Sequence, residues 1–152
     1  MATTVSKASL VVTVTEQITL NGTIYDQNTT KTIGGITGYD KSVFTLSSGV
    51  SHNVAEFVSL PSGDKHDVEN LKYLRVTNLD DTNGIVASFA SSSAAAGLNM
   101  AAGASAVIFD GKVNGVASKT PMTTTANLDT VYLHNPHHSG VDVELVVASR
   151  NR

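Results

Sequence analysis

The chain has 152 residues, a formal net charge of −3, 15% charged residues and 41% in the hydrophobic set. Its length suits one domain of roughly 100 to 200 residues, and an acidic balance with no Lys or Arg run argues against direct binding of nucleic acid. The absence of Cys excludes a disulfide framework, a thiolate metal site and a cysteine nucleophile, and no apolar stretch approaches the roughly 18 residues of a membrane span.

Thr, Ser and Val number 18, 16 and 19, a β-branched and hydroxyl-rich balance that favours pleated, half-buried surfaces. Met1 to Lys7 lacks a continuous apolar stretch, so no signal peptide is expected, and synthesis in a cytoplasm is the expectation. Ser9 to Leu20 alternates, with Leu10, Val12, Val14, Ile18 and Leu20 on one face and Val11, Thr13, Thr15, Gln17 and Thr19 on the other. Glu16 interrupts the apolar face. Asn21-Gly22 is a turn signal before Thr23-Ile24-Tyr25, and the polar run Asp26 to Thr30 completes a hairpin or strand corner. Thr32-Ile33 and Ile36-Thr37 flank Gly34-Gly35, with Gly38 close by. These glycines lack the strand-to-helix setting and Lys of a phosphate loop and read as punctuation in a bent strand.

Val43 to Leu46 and Asn53 to Leu60 are two more strands, separated by Ser47-Ser48-Gly49 and closed by Pro61-Ser62-Gly63-Asp64. Asn53 to Asn70 carries the weakest strand signal, and a brief helix over His66 to Leu71 is one option there. Leu71 to Leu79 and Ile85 to Phe89, joined by Asp80 to Gly84, predict a hairpin. Ser91 to Gly97 reads as a loop, Leu98 to Met100 and Ala104 to Phe109 as extended segments, and Asp110-Gly111 and Asn114-Gly115 as turns. Leu128 to Leu133 and Val141 to Ala148 are the closing strands. This succession of nine or ten short strands predicts an all-β fold, a single antiparallel β-sandwich over residues 1–152 with a jelly roll as one form of it.

His134, His137 and His138 place three imidazoles within five residues at a strand end, and imidazole is a common metal ligand. Adjacent His137 and His138 point apart in extended chain, however, and Asn135-Pro136 announces a turn, so a polar surface turn is the expectation. A metal there would need neighbouring carboxylates or an oligomer axis. Asp80, Asp81 and Asn83 supply too few oxygens for the six to eight of a calcium site, and Asp26 and Asp110 sit beside similar turns. Glu16, Glu56, Glu69 and Glu144 occupy positions a solvated strand face would use. No Ser or Thr lies in a nucleophile elbow. Asn21-Gly22-Thr23 and Asn28-Thr29-Thr30 match the glycosylation sequon, which matters only in a secretory pathway. No catalytic, cofactor-binding or metal site is assigned, no cofactor is expected, and the chain is expected not to be an enzyme.

Lys72 to Asn83, with the run Tyr73-Leu74-Arg75-Val76-Thr77-Asn78, resembles a strand and turn of small virion structural proteins of tailed bacteriophages, particularly those of marine and cyanobacterial hosts. Val141 to Ser149 resembles the closing strand of that group, and Leu98 to Phe109 fits its layout. The resemblance covers the second half of the chain and implies a virion component. A capsid decoration or cement protein is the reading favoured, bound to the outer shell, with the major capsid protein and copies of itself as partners, as a trimer or dimer. A tail, neck or fibre component is the rival. A carbohydrate-binding adhesion module is weakened by the absence of Trp and the dispersal of Tyr25, Tyr39, Tyr73 and Tyr132. Met1 to Lys7 is expected to act as a short arm reaching a neighbouring subunit. Val11 and Val146, on the polar sides of their strands, are expected to face a partner.

Overall fold

The computed structural model describes residues 7–58, 66–67, 71–90, 95–109 and 129–149, and every regular element among them is a β-strand. The first two, β1 (Ala8–Leu20) and β2 (Thr23–Ile36), pair among the described residues only with each other. Their antiparallel register runs from Leu20↔Thr23 back to Ala8↔Ile36. Asn21 and Gly22 turn the chain with φ of 51° and 80°. Two successive positive φ values are the signature of the type I′ turn, whose twist matches that of the flanking strands. The polar run Asp26 to Thr30 continues the strand, because each residue has a backbone partner across the ribbon. The segments on either side of Gly34-Gly35 are therefore one strand with a bulge. Ser9 pairs with Gly34 and Ala8 with Ile36, leaving Gly35 (φ 75°) as the extra residue. The extra residue shifts the side-chain parity, so Ile33 and Ile36, three positions apart, are both buried.

The remaining strands form two sheets. One has the order β3 (Gly38–Leu46), β11 (Val141–Ser149), β6 (Leu71–Asn78), β9 (Ser105–Phe109). The other has the order β5 (His66–Asp67), β4 (Ser51–Val58), β10 (Thr130–His134), β7 (Ile85–Ala90), β8 (Ala95–Met100). All neighbours are antiparallel except the two-residue pairing of β4 with β5. The inward faces close on one core. Leu46, Leu74, Val76, Val141, Val143 and Val147 come from the first sheet, and Phe57, Ile85, Val131 and Leu133 from the second. The all-β, sandwich-like, antiparallel architecture is as the strand periodicity implies.

Counted from β3 and omitting β5, the eight sandwich strands lie in the orders 1-8-3-6 and 2-7-4-5. Only β7 and β8 are successive strands of the same sheet. The segments joined by Asp80 to Gly84 are thus not a hairpin, for β6 and β7 belong to opposite sheets. The Asp80 carboxylate accepts hydrogen bonds from the backbone N–H groups of Thr82 and Asn83. That capping steers the link across the roughly 10 Å between sheets. His66–Asp67 is strand, not helix, because it pairs with Phe57 and Val58. Ala95 to Gly97 is strand, not loop. As part of β8 it needs only the backbone partners that Ser88, Phe89 and Ala90 supply, and small side chains suffice. The expected arm Met1 to Lys7 lies, apart from Lys7, outside the described residues, as do the turns at Asp110-Gly111 and Asn114-Gly115.

In β11 the sequence itself marks a change of surroundings. Val141, Val143 and Leu145 alternate with Asp142 and Glu144, but Leu145 to Ala148 is an unbroken buried run. Val146 and Ala148 face away from the sandwich core and are covered, with Tyr73, by Leu10, Val12, Ile33 and Ile36 at the root of the ribbon. A strand buried on both faces reads as continuous apolar sequence. Val146, at 3% exposure, therefore meets the chain's own ribbon rather than a foreign partner.

Candidate functional site

Two regions gather the residues singled out above. The first is one end of the sandwich, where the links β3–β4, β6–β7, β8–β9 and β10–β11 meet. Two buried asparagines organise it in the same way. Asn78 Nδ2 donates to the carbonyls of Asn83 and Ala101, and its Oδ1 accepts from the N–H of Asp80. Asn135 Nδ2 donates to the carbonyls of Leu46 and Ser139, and its Oδ1 accepts from the N–H of His137. Each side chain thus closes its own turn and ties it to a neighbouring link. Both continue the inward parity of their strands, after Leu74 and Val76 in one case and Val131 and Leu133 in the other. That parity was the available signal, and residue type alone hid it.

The histidines sit around this frame. His134 Nδ1 lies 3.3 Å from Ser51 Oγ, and His52 Nε2 accepts from the Ser47 N–H at 3.2 Å. His137 is half-buried and His138 exposed in the turn beyond Asn135. Hydrogen bonds from the Asn83 and Thr82 N–H groups hold the Asp80 carboxyl below its ordinary range, and His137 adds a smaller electrostatic contribution. Among the described residues, no three His, Asp or Glu side chains converge as metal ligands. The frame ties four links together through backbone carbonyls and N–H groups that are already paired.

The second region is the ribbon and the sheet face beneath its root. From Thr13 to Thr32 every residue is exposed, on both faces. The face that docks at Leu10, Val12 and Ile33 runs on through Val14, Glu16, Ile18 and Leu20, with Gln27 and Tyr25 opposite Glu16 and Ile18. Ile18 and Tyr25 are 60% and 57% exposed. The other face carries Val11, Thr13, Thr15, Gln17 and Thr19, and Val11 is exposed. Thr13 and Thr30 hydroxyls and the Gln17–Asp26 pair bridge the strands.

On the outer face of the four-stranded sheet, Glu144 lies between Lys41 of β3 and Arg75 of β6. Lys41 Nζ is 2.8 Å from one carboxylate oxygen and Arg75 donates to the other. The Lys41 hydrogen bond, followed by that from Arg75, holds the Glu144 carboxyl below its ordinary range. Tyr39, Val43 and Val107 surround this group as exposed apolar side chains.

The carboxylates considered together in the sequence are far apart in the fold. Glu16 is on the ribbon, Glu144 on one outer face and Glu56, next to inward Ala55 and Phe57, on the opposite outer face. Glu69 and Asp110 lie outside the described residues, while Asp81 is exposed in the Asp80 turn, where its carboxylate accepts from the Thr82 hydroxyl. Asn21 is at the ribbon tip and Asn28 pairs with Thr15 within it. Gly34 lies in the ribbon root and Gly38 opens β3. The tyrosines form no common platform: Tyr25 is on the ribbon, Tyr39 and Tyr132 are on different sheets, and Tyr73 is buried. Comparison of the chain with protein-family models, with curated proteins and with solved structures finds no match.

Proposed function

We propose that this chain is a non-enzymatic structural protein of a tailed-bacteriophage virion, a decoration or cement protein that binds the outer capsid shell and braces contacts between capsid-protein subunits. The observation that carries this reading is the contrast between a sandwich with a complete core and a ribbon with none beyond its root. An isolated two-stranded hairpin is at best marginally stable in water, so a long ribbon exposed on both faces suits a protein whose working state is an assembly. The strand orders 1-8-3-6 and 2-7-4-5 support the finer reading of the body as a jelly roll, an architecture of viral capsid and lectin domains. Few surface charges reduce the desolvation cost of broad protein contacts.

In this reading the partners are the major capsid protein and further copies of the chain, and the site of action is the capsid surface after synthesis in the host cytoplasm. The dispersal of the tyrosines over three surfaces tells against a sugar platform. The test is the stoichiometry of this chain against the major capsid protein in purified particles, by quantitative mass spectrometry. A ratio near one, or a simple fraction of it, is expected. A handful of copies per particle would move the chain to the neck, tail or fibre, and absence from particles would overturn the virion reading.

A further inference from the structure

We propose that the free length of the ribbon, Thr13 to Thr30, is an assembly arm that lies across the outer face of the four-stranded sheet of a second copy of this chain. Three observations converge on that occupant. The first is continuity of surface chemistry. The ribbon face carrying Leu10, Val12 and Ile33 already packs on Val146, Tyr73 and Ala148 of this sheet within one chain. The same ribbon face continues as Val14, Ile18, Leu20 and Tyr25, all exposed, and the same sheet face continues as Tyr39, Val43 and Val107, also exposed. A second copy's arm laid there repeats a contact the chain makes at its own root.

The second observation is charge. Between Thr13 and Thr30 the only charged residues are Glu16 and Asp26. The receiving face presents Lys41 and Arg75 around Glu144, with Asp142, which accepts from the Thr45 hydroxyl, further along the same face of β11. On the contacting arm face the one carboxylate is Glu16, since Asp26 lies with Gln17 on the other face, and Glu16 set toward Lys41 and Arg75 orients the contact. The third is size. Eight residue pairs at about 3.4 Å each give an arm face roughly 27 Å long, and with a width of about 10 Å, two reciprocal arm contacts cover about 1,100 Å² over both partners, the threshold scale of a specific interface. Reciprocal exchange about a two-fold axis fills both arms and both faces at once. The ribbon edges are also lightly guarded, with Glu16 the one charge in β1.

This inference does not depend on the virion reading. The test is sedimentation velocity on the full chain over a concentration series, with two kinds of variant. The arm variant is Ile18→Asp with Tyr25→Asp and the face variant is Val43→Asp. All three positions are exposed, so the fold is expected to hold, as far-UV circular dichroism will verify. The native chain is expected to self-associate, and each variant alone to do so about 100-fold more weakly or not at all. A mixture of the two variants is expected to associate more strongly than either variant alone but more weakly than the native chain, because the intact arm of the face variant meets the intact face of the arm variant and restores one of the two reciprocal contacts. As a second measurement, Tyr25→Cys and Val43→Cys copies, in a chain with no other Cys, are expected to be joined by a short bis-maleimide when mixed. A native chain that stays monomeric at about 100 µM would overturn the proposal. Undiminished association of the Val43→Asp variant, or failure of the mixture to reassociate and cross-link, would overturn it too, the last two pointing to arm-on-arm pairing. A monomeric chain that is nonetheless abundant in particles would sink this inference and leave the virion reading standing.

Discussion

The ribbon and the sandwich are built from the same residue types, with Val, Ile, Leu and Thr alternating along antiparallel strands, yet they differ in what covers them. In β11, Val141, Val143 and Val147 are sealed between two sheets. In β1, Val14, Ile18 and Leu20 likewise share one face of their strand and stand in solvent. Alternation therefore specifies a strand and an apolar face but not the surface that will bury it. The root of the ribbon is the intermediate case, where one sheet face covers a few rungs and leaves the rest bare.

The widest separation between the regions is expected from truncations. Leu133→Ala in the core should cost about 2 to 5 kcal/mol, read from urea unfolding of the dilute chain. Ile18→Ala on the ribbon should stay within about 0.5 kcal/mol under the same conditions. Equal losses would mean that the ribbon is folded into the core's cooperative unit. Asn78→Ala and Asn135→Ala come next, at about 2 kcal/mol each, because buried carbonyls lose their donors; a double-mutant cycle should show coupling, since Asn83 in one turn donates to the Ser139 hydroxyl in the other. Val146→Asp is expected to act at the boundary. It puts a carboxylate beneath the ribbon root beside Lys41 and Arg75, so limited proteolysis should cut near the root before the sandwich unfolds. Simultaneous loss of both would erase the boundary.

Acid unfolding sharpens the contrast further, because the carboxylates with lowered pKa values belong to the sandwich. Asp80 and Glu144 ionise below their ordinary 3.8 and 4.5 in the folded chain. The folded state thus binds these protons less readily than the unfolded one. Their contribution is full above the ordinary values and is lost as pH falls through the lower folded ones. Asp80→Asn and Glu144→Gln should flatten the stability profile below about pH 4.5, with the Glu144 effect reduced by salt because Lys41 is half exposed. The smallest effect is expected at the tip. Gly22→Ala places a side chain at φ 80° and should cost about 1 kcal/mol locally. Faster amide exchange along the ribbon with an unchanged global unfolding midpoint would report it.

Much of the strand pattern was legible from the chain. The Asn21-Gly22 turn and the closing strand could be located because φ preference and two-residue alternation are local properties. The hairpin that Leu71 to Leu79 and Ile85 to Phe89 imply is absent for the opposite reason, since β6 and β7 lie in different sheets. Two strands with a turn between them suggest a hairpin, but β11 already occupies one side of β6 and β9 the other. The polar run Asp26 to Thr30 was strand because of its partners across the ribbon, and no residue within the run announces that. Of the residues that organise the sandwich end, the histidines drew attention by type, whereas Asn78 and Asn135 carry the connections. The Lys41–Glu144–Arg75 group unites residues more than a hundred positions apart and had no local signature.

The sequence by itself determined an all-β chain, most of its strand positions and the chirality of its tip turn, since each depends on neighbours within a few residues. Tertiary structure decided that Val146 is buried and Val11 bare, that two asparagines lie in the core, and that most of one hairpin stands outside it. Those outcomes depend on which strands, distant in the chain, arrive beside one another, and burial is a property of that arrangement rather than of any residue within it.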